Sequence, residues 1–497
     1  MASSDLAKHT LKDMIIYFPT IILQGVISLI VAAILSKLFS PDRYGNYVLA
    51  FGIYILLTTL NGMWIHLSII RLMPEYISKG QYNNLVVSLV AFEGIVLSFI
   101  TLLAILIISQ IHGMLNAELS HLLIVSLFGS VFMIGALAIE SVYRITARSE
   151  KYSILVLIRI LSGLAFGLIL ALYFQFEILG FFVGLVLPNF LIVIWHSWLK
   201  RKKWLNILKS GIFSKIALMD AFSYSLPFVG MNLFAMILGI SDHYIIGAYL
   251  TVYEVGIYAI SYLIANQGIQ VLFNVIMMAS DPIAIRTWEK SGPETAYDYL
   301  AKLVKLYTIL VIPAWIGLFI LGKELITLFS TSEYAIGAPI IGLAGLGILL
   351  HGFTQMLNRI FILTKKTMPP LINFSIISVI NVVLNLLLIP IYGYIAAAWS
   401  TFISYSLLLF LTIITTRRIV SFNWAGSYIL KSFLSAAGMG IIVNSSKSFF
   451  ISNILNVTIA ILIGIISYAI LMILLGGISR SEANKIRLRL RHIVLRS

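Results

Sequence analysis

The sequence predicts an all-α, polytopic membrane protein, and three observations predict it. Sixty per cent of the 497 residues are hydrophobic and only 11% carry charge, with a mean hydropathy of +1.02. Soluble domains average roughly 45–50% apolar and about 25% charged residues, so a water-soluble core would not hide this many apolar side chains. The apolar residues fall into fourteen runs of bilayer-spanning length, and the basic residues collect in alternate gaps between those runs.

A helix needs about 20 mainly apolar residues to cross the hydrocarbon layer. Such runs lie at 14–36, 47–71, 85–110, 119–142, 154–174, 178–199 and 216–240. The second set lies at 255–279, 303–322, 335–361, 369–390, 394–416, 427–446 and 452–476. The longest connections, 200–215 and 280–302, are too short for a folded water-soluble domain. The leading MASSDLAKHTLKDM precedes an apolar run without a small-x-small cleavage site, and is read as the approach to a retained first span.

With fourteen spans both termini share a side. Of the 34 Lys and Arg residues, all but Lys37, Arg43, Lys323, Lys447 and the in-span Arg159 fall on it, the KRKK cluster at 200–203 included. Basic residues mark the cytoplasmic side of membrane proteins, so both termini are expected in the cytoplasm and the chain in a cytoplasmic (inner) membrane. This bias accounts for the net charge of +15 without a nucleic-acid partner. The chain has no cysteine, which excludes disulfides, thiolate metal sites and cysteine nucleophiles. It has no GxxxxGK[ST], HExxH or GxSxG motif. No cofactor or metal is expected, and the chain reads as a transporter rather than an enzyme.

Two stretches repeat. FSPDRYGNY (39–47) and LTVYEVGIY (250–258) align after a shift of 211 residues, which sets Ser40 on Thr251, Gly45 on Gly256 and Tyr47 on Tyr258. Both follow the first span of a six-span set, so the halves form a parallel repeat about an axis along the membrane normal.

The stretches RYGNYVLAFGIY (43–54), RLMPEY (71–76), SDHYIIGAYLTVYEVGIYAISYLIA (241–265) and NVVLNLLLIPIYGYIAAAWSTFISY (381–405) carry a resemblance. The chain resembles the polysaccharide-exporter branch, the lipid-linked oligosaccharide flippases, of the multidrug/oligosaccharidyl-lipid/polysaccharide (MOP) exporter superfamily. Asn381, Asn385, Pro390, Gly393, Ala397, Thr401 and Ser404 follow that branch's pattern, while Ala396 stands where it often has glycine. The resemblance implies two six-helix lobes, 1–210 and 211–420, around a central cavity. It adds two further helices with a basic tail over 421–497. It also implies flipping of a polyprenyl-diphosphate-linked oligosaccharide between leaflets, for O-antigen, capsule or other surface polysaccharide, by alternating access. Partners would be the lipid-linked oligosaccharide, membrane lipids, polymerase or assembly proteins, and a proton or sodium coupling ion.

Polar side chains in hydrocarbon are costly and usually face protein or a watery cavity. Tyr262, Asn266, Gln270 and Asn274 recur every four residues and form one stripe suited to a sugar. His351 and Gln355, with Asn358 and Arg359, form a second stripe. Ser378, Asn381 and Asn385 are read as helix-to-helix hydrogen bonding. Arg159 has three readings: a phosphate ligand, a partner of Glu93, or a side chain snorkelling to the interface. Arg71 reads as a surface anchor or a headgroup ligand. Asp220 and Glu93 are the candidates for ion coupling. Asp242 is read as capping a turn near His243, and His66 as hydrogen-bonded. The C-terminal RSEANKIRLRLRHIVLRS alternates basic and apolar residues and is expected on the anionic inner leaflet. The rivals are a drug or metabolite antiporter of the same superfamily, and a membrane-embedded polysaccharide polymerase or ligase.

Overall fold

A bilayer interior offers no water to an unpaired amide, so a segment crossing it satisfies its backbone internally, as a helix. In the computed structural model the described residues are 23–111, 113, 115–146, 149–366, 368–420, 426–446 and 454–477, and no strand occurs among them. Thirteen stretches among the described residues are long and apolar enough to span, and the shorter α1 (Leu23–Leu38) stands where the first span is expected. The start of that span and the basic C-terminal tail lie outside the described residues.

The next helices are α2 (Pro41–Ser78), α3 (Tyr82–Ile111), α4 (Ala117–Ile145), α5 (Ser149–Leu168), α6 (Glu177–Leu199), α7 (Arg201–Ser210) and α8 (Lys215–Tyr249). After them come α9 (Val252–Ile320), α10 (Gly322–Phe329), α11 (Ala338–Leu363), α12 (Met368–Tyr392), α13 (Ile395–Arg417), α14 (Gly426–Ser446) and α15 (Ile454–Leu474). Two connections expected as loops are helical instead. Within the basic 200–215 stretch, 201–210 form α7, whose Trp204 and Ile207 fall on one helical face that docks against the protein, with Gly211 ending the helix. The 280–302 stretch continues α9, whose two segments meet at Gly292 with φ 83° and ψ 176°, a conformation essentially confined to glycine.

The chain divides into two compact units, Met1–Gly256 and Ile257–Ser497. These units are groupings by packing and do not test the expected six-helix lobes 1–210 and 211–420, because α8 groups with the first unit. There α8 packs along α2: Trp64 stacks on Phe222 at 4.9 Å, and Tyr244 Oη donates to Leu49 O at 2.9 Å. In the second unit α14 and α15 pair with each other and attach to the distal half of α9. There Tyr468 Oη donates to Ile309 O at 2.8 Å, and Lys305 lies 3.9 Å from the centre of the Tyr428 ring.

The repeated stretches open α2 and α9. Pro41 takes the first helical position of α2, where its missing N–H is no loss. At α9 the Glu254 carboxylate accepts from Thr251 N at 2.8 Å and Thr251 Oγ1 at 2.6 Å, the second half of a capping box. One turn in, the two glycines lie at a reciprocal crossing within the first unit. A Cβ on Gly45 would run into Val252 O, and a Cβ on Gly256 would run into Pro41 O. Pro41 and Val252 are themselves 211 residues apart, so the crossing has the symmetry of the repeat. Arg43 and Asn46 fasten the same end: Arg43 pairs with Glu118 and Glu177, and Asn46 donates to Glu118 at 2.6 Å.

Overpacking a close crossing costs about 1–3 kcal/mol. Gly45→Ala and Gly256→Ala are each expected to lower the melting temperature in detergent. Gly94→Ala, whose Cβ would meet nothing within 4 Å, is expected to leave it unchanged. Thermal denaturation of the three purified variants checks this.

Candidate functional site

In the first unit the polar groups sit among helices that the sequence alone does not pair. Trp64 of α2 is buried and donates through Nε1 to Glu93 Oε2 of α3 at 3.1 Å. Phe92 and Phe222 of α8 close an aromatic triad around Trp64, at 5.8 and 4.9 Å between ring centres. Glu93 is buried, and its second oxygen, Oε1, has no hydrogen-bond partner among the described residues. A carboxylate placed so deep is costly unless it binds a proton or a cation. Asp220, on α8, accepts from the buried Tyr76 hydroxyl of α2 at 2.8 Å.

Arg159 does not pair with Glu93. Its Nε donates to Glu140 Oε1 at 2.9 Å, joining α5 to α4, with both side chains largely buried. Its charge is thus met within the protein by Glu140, a partner that none of the three readings named. Arg71 is exposed on α2, one turn before Glu75, which pairs with Lys79 at 2.7 Å. His66 Nδ1 lies 2.6 Å from Ser141 Oγ, and His243 Nδ1 lies 2.8 Å from Asp242 Oδ1.

In the second unit the stripe of α9 runs from buried to exposed. Tyr258 is buried and stacks on the half-buried Tyr262 at 5.9 Å; Asn266 and Gln270 are half-buried and Asn274 is exposed. Gln270 Nε2 donates to Asn274 Oδ1 at 3.3 Å. The stripe therefore offers a ladder of neutral donors and acceptors, which is chemistry for hydroxyl-rich ligands. His351 lies apart from it, its ring against Tyr405 at 4.6 Å and Phe374 at 6.0 Å, while Gln355 is half-buried one turn along α11. Asn381 donates to Ser404 Oγ at 3.1 Å and Asn385 to Asn381 Oδ1 at 3.2 Å, so the asparagines of α12 bond within a buried seam to α13.

Four partners were not singled out from the sequence. Trp64, Tyr76 and Glu140 answer Glu93, Asp220 and Arg159, and no local spacing announces a partner on another helix. Asp281 pairs with Arg359 at 3.2 Å and ties α9 to α11. It did carry a signal, since it lies seven residues beyond Asn274 and so continues the same helical face.

The sequence model of the polysaccharide biosynthesis protein family matches residues 10–288, more than half of the chain. The chain belongs to that family. The MatE family model also matches this polysaccharide biosynthesis protein, over residues 227–387. Its fold is similar to that of a lipid II flippase, MurJ, in an inward closed conformation, with TM-score 0.73 and 16% identity over 92% of this chain and 98% of that one. It is also similar to an inward-facing multidrug resistance MATE family transporter of the MOP superfamily, with TM-score 0.64 and 16% identity over 80% and 95% of the two chains. A third likeness, to MATE in the straight conformation, has TM-score 0.57 and 14% identity over 83% and 96%. No curated protein matches the sequence. The family assignment and these folds place the chain in the MOP exporter superfamily, with the helical architecture of its flippases and transporters.

Removing one member of a buried ion pair strands its partner, at about 3–5 kcal/mol, whereas an apolar pair in its place is often tolerated. Arg159→Met and Glu140→Leu are each expected to be strongly destabilising and the double variant to recover most of the loss. A double-mutant cycle on unfolding in detergent measures the coupling.

Proposed function

We propose that this protein moves a polyprenyl-diphosphate-linked oligosaccharide from the inner to the outer leaflet of the cytoplasmic membrane, for assembly of a surface polysaccharide such as O-antigen or capsule. Membership of the polysaccharide biosynthesis family carries the reading. The glycan is held by neutral groups, chiefly Tyr262, Asn266, Gln270 and Asn274, while its lipid tail stays in the membrane. Both termini lie in the cytoplasm, as the basic loops require. Two six-helix lobes alternate access to a central cavity, and no covalent step is needed. Polymerase or assembly proteins receive the product outside. Arg71 is left as the cation for a diphosphate, because Arg159 is engaged by Glu140. His351 and Gln355 support the second stripe.

Coupling is assigned to Glu93, whose open oxygen can take a proton, with Asp220 of α8 as a second acid. The same buried carboxylate, together with the MatE match over 227–387, favours a second reading, a drug or metabolite antiporter driven by protons or sodium.

Proteoliposomes carrying a polyprenyl-diphosphate oligosaccharide separate the two. Exposure of the glycan to an impermeant oxidant is expected to require the protein. Loss of one hydrogen bond is worth about 0.5–1.5 kcal/mol, so Gln270→Ala and Asn274→Ala should each slow exposure roughly two- to tenfold. Glu93→Gln should abolish any stimulation by an imposed proton gradient. No exposure of several glycans, with exchange of a small cationic drug for protons, would establish the antiporter instead.

A further inference from the structure

The connector between the sixth and seventh spans is the amphipathic helix α7, with the sequence RKKWLNILKS. Its residues sort into three sectors at 100° per residue. Trp204 and Ile207, followed by Gly211, face the protein, and Ile207 is 4% exposed. Leu205 and Leu208 form an adjoining apolar sector that is 53% and 54% exposed, with Arg201 at its N-terminal end, and Ile212, in the extended segment just beyond the helix, is 73% exposed. Lys202, Asn206 and Lys209 form the next sector, with Lys203 and Ser210 at its edge, and all are exposed. No acidic residue occurs from 200 to 219, whereas Lys200, Arg201, Lys202, Lys203, Lys209 and Lys215 do.

The helix is not free to move. Asn83 at the start of α3 donates to Ser210 Oγ at 2.7 Å, Ile212 N donates to Asn84 Oδ1 at 2.9 Å, and Ser214 N donates to Ser88 Oγ at 2.7 Å. Gly211 fits against Asn83 O and the Val87 side chain, where a Cβ would collide. Arg201 lies over the Trp198 ring at 5.2 Å and Lys203 over the Tyr82 ring at 5.5 Å, so both cations sit at aromatic residues of the kind that line membrane interfaces. An exposed apolar sector beside a cationic one, fixed in place at a helix end, matches the layering of acyl chain below and headgroup above.

We propose that α7 is a docking surface for the anionic lipid headgroups of its leaflet, with Leu205, Leu208 and Ile212 among the upper acyl carbons and Lys202, Lys203 and Lys209 against phosphates. The connector is then held from two sides, by α3 and by the lipid layer. The inference is independent of what the protein transports.

The chain has no cysteine, so a single one introduced by Leu208→Cys takes a fluorophore uniquely. Full-length protein is placed in phosphatidylcholine vesicles holding an equal, low mole fraction of either phosphatidylglycerol or phosphatidylcholine with a nitroxide high on the acyl chain. Quenching by the labelled phosphatidylglycerol is expected to exceed that by labelled phosphatidylcholine about fivefold, what one basic residue near an anionic surface supplies. A label at Ile107→Cys, near the other end of α3, should be quenched equally by both. Combining Lys202→Gln, Lys203→Gln and Lys209→Gln should remove the excess at position 208, as should high salt on the charged protein. Equal quenching at position 208, or an excess that survives both the triple variant and salt, overturns the proposal. Weak quenching by either lipid there, as from a position covered by protein or water, also overturns it.

Discussion

Hydrocarbon supplies no hydrogen-bond partner, and most of what is observed in this chain follows from that. It dictates helices for the backbone, it turns many Ser and Thr hydroxyls onto carbonyls of their own helix, and it makes the larger polar side chains seek a group on a neighbouring helix. Arg159 finds Glu140, Arg359 finds Asp281, Asn381 finds Ser404 and Glu93 finds Trp64. Each pair joins two helices, so the polar residues that look like functional punctuation in the sequence also hold the bundle together. Glu93 differs in keeping one oxygen without a partner among the described residues, which is why coupling is assigned there and not to the paired Arg359–Asp281.

Where no polar bond joins helices, closeness does. Lipid is as apolar as leucine, so helices in a bilayer associate through packing, and small residues let backbones approach. The crossing of Gly45 and Gly256 is the case that links packing to sequence repetition. Each glycine faces the first helical residue of the other stretch, within the first unit. The capping chemistry differs between the copies, a proline in one and a Thr–Glu box in the other, because a helix start has several solutions and a backbone crossing has few.

Function is read from what the bundle leaves over. The α9 stripe grades from the buried Tyr258 to the exposed Asn274 and carries no charge until Asp281, a composition fitted to hydroxyl groups rather than to ions. Membership of the polysaccharide biosynthesis family is what points the proposal toward a glycan cargo. At the membrane surface the same separation of roles recurs in α7, where one face is fixed to α3 and the remaining two are free to meet lipid.

The sequence by itself determined the class of the protein and the approximate place of each span, because a 30 Å apolar layer imposes a length and a hydropathy that need no tertiary partner. It also determined the repeat, the Asn and Gln stripe and the family. Tertiary structure decided the partners. Arg159 could pair with any acid at its depth, and only the packing of α5 on α4 chose Glu140 over Glu93. Likewise only packing lays α8 along α2, a relation between helices that are distant in sequence. The helix at 201–210 was missed for a related reason: a ten-residue surface helix is marginal alone, and the polar start of α3 holds it in place.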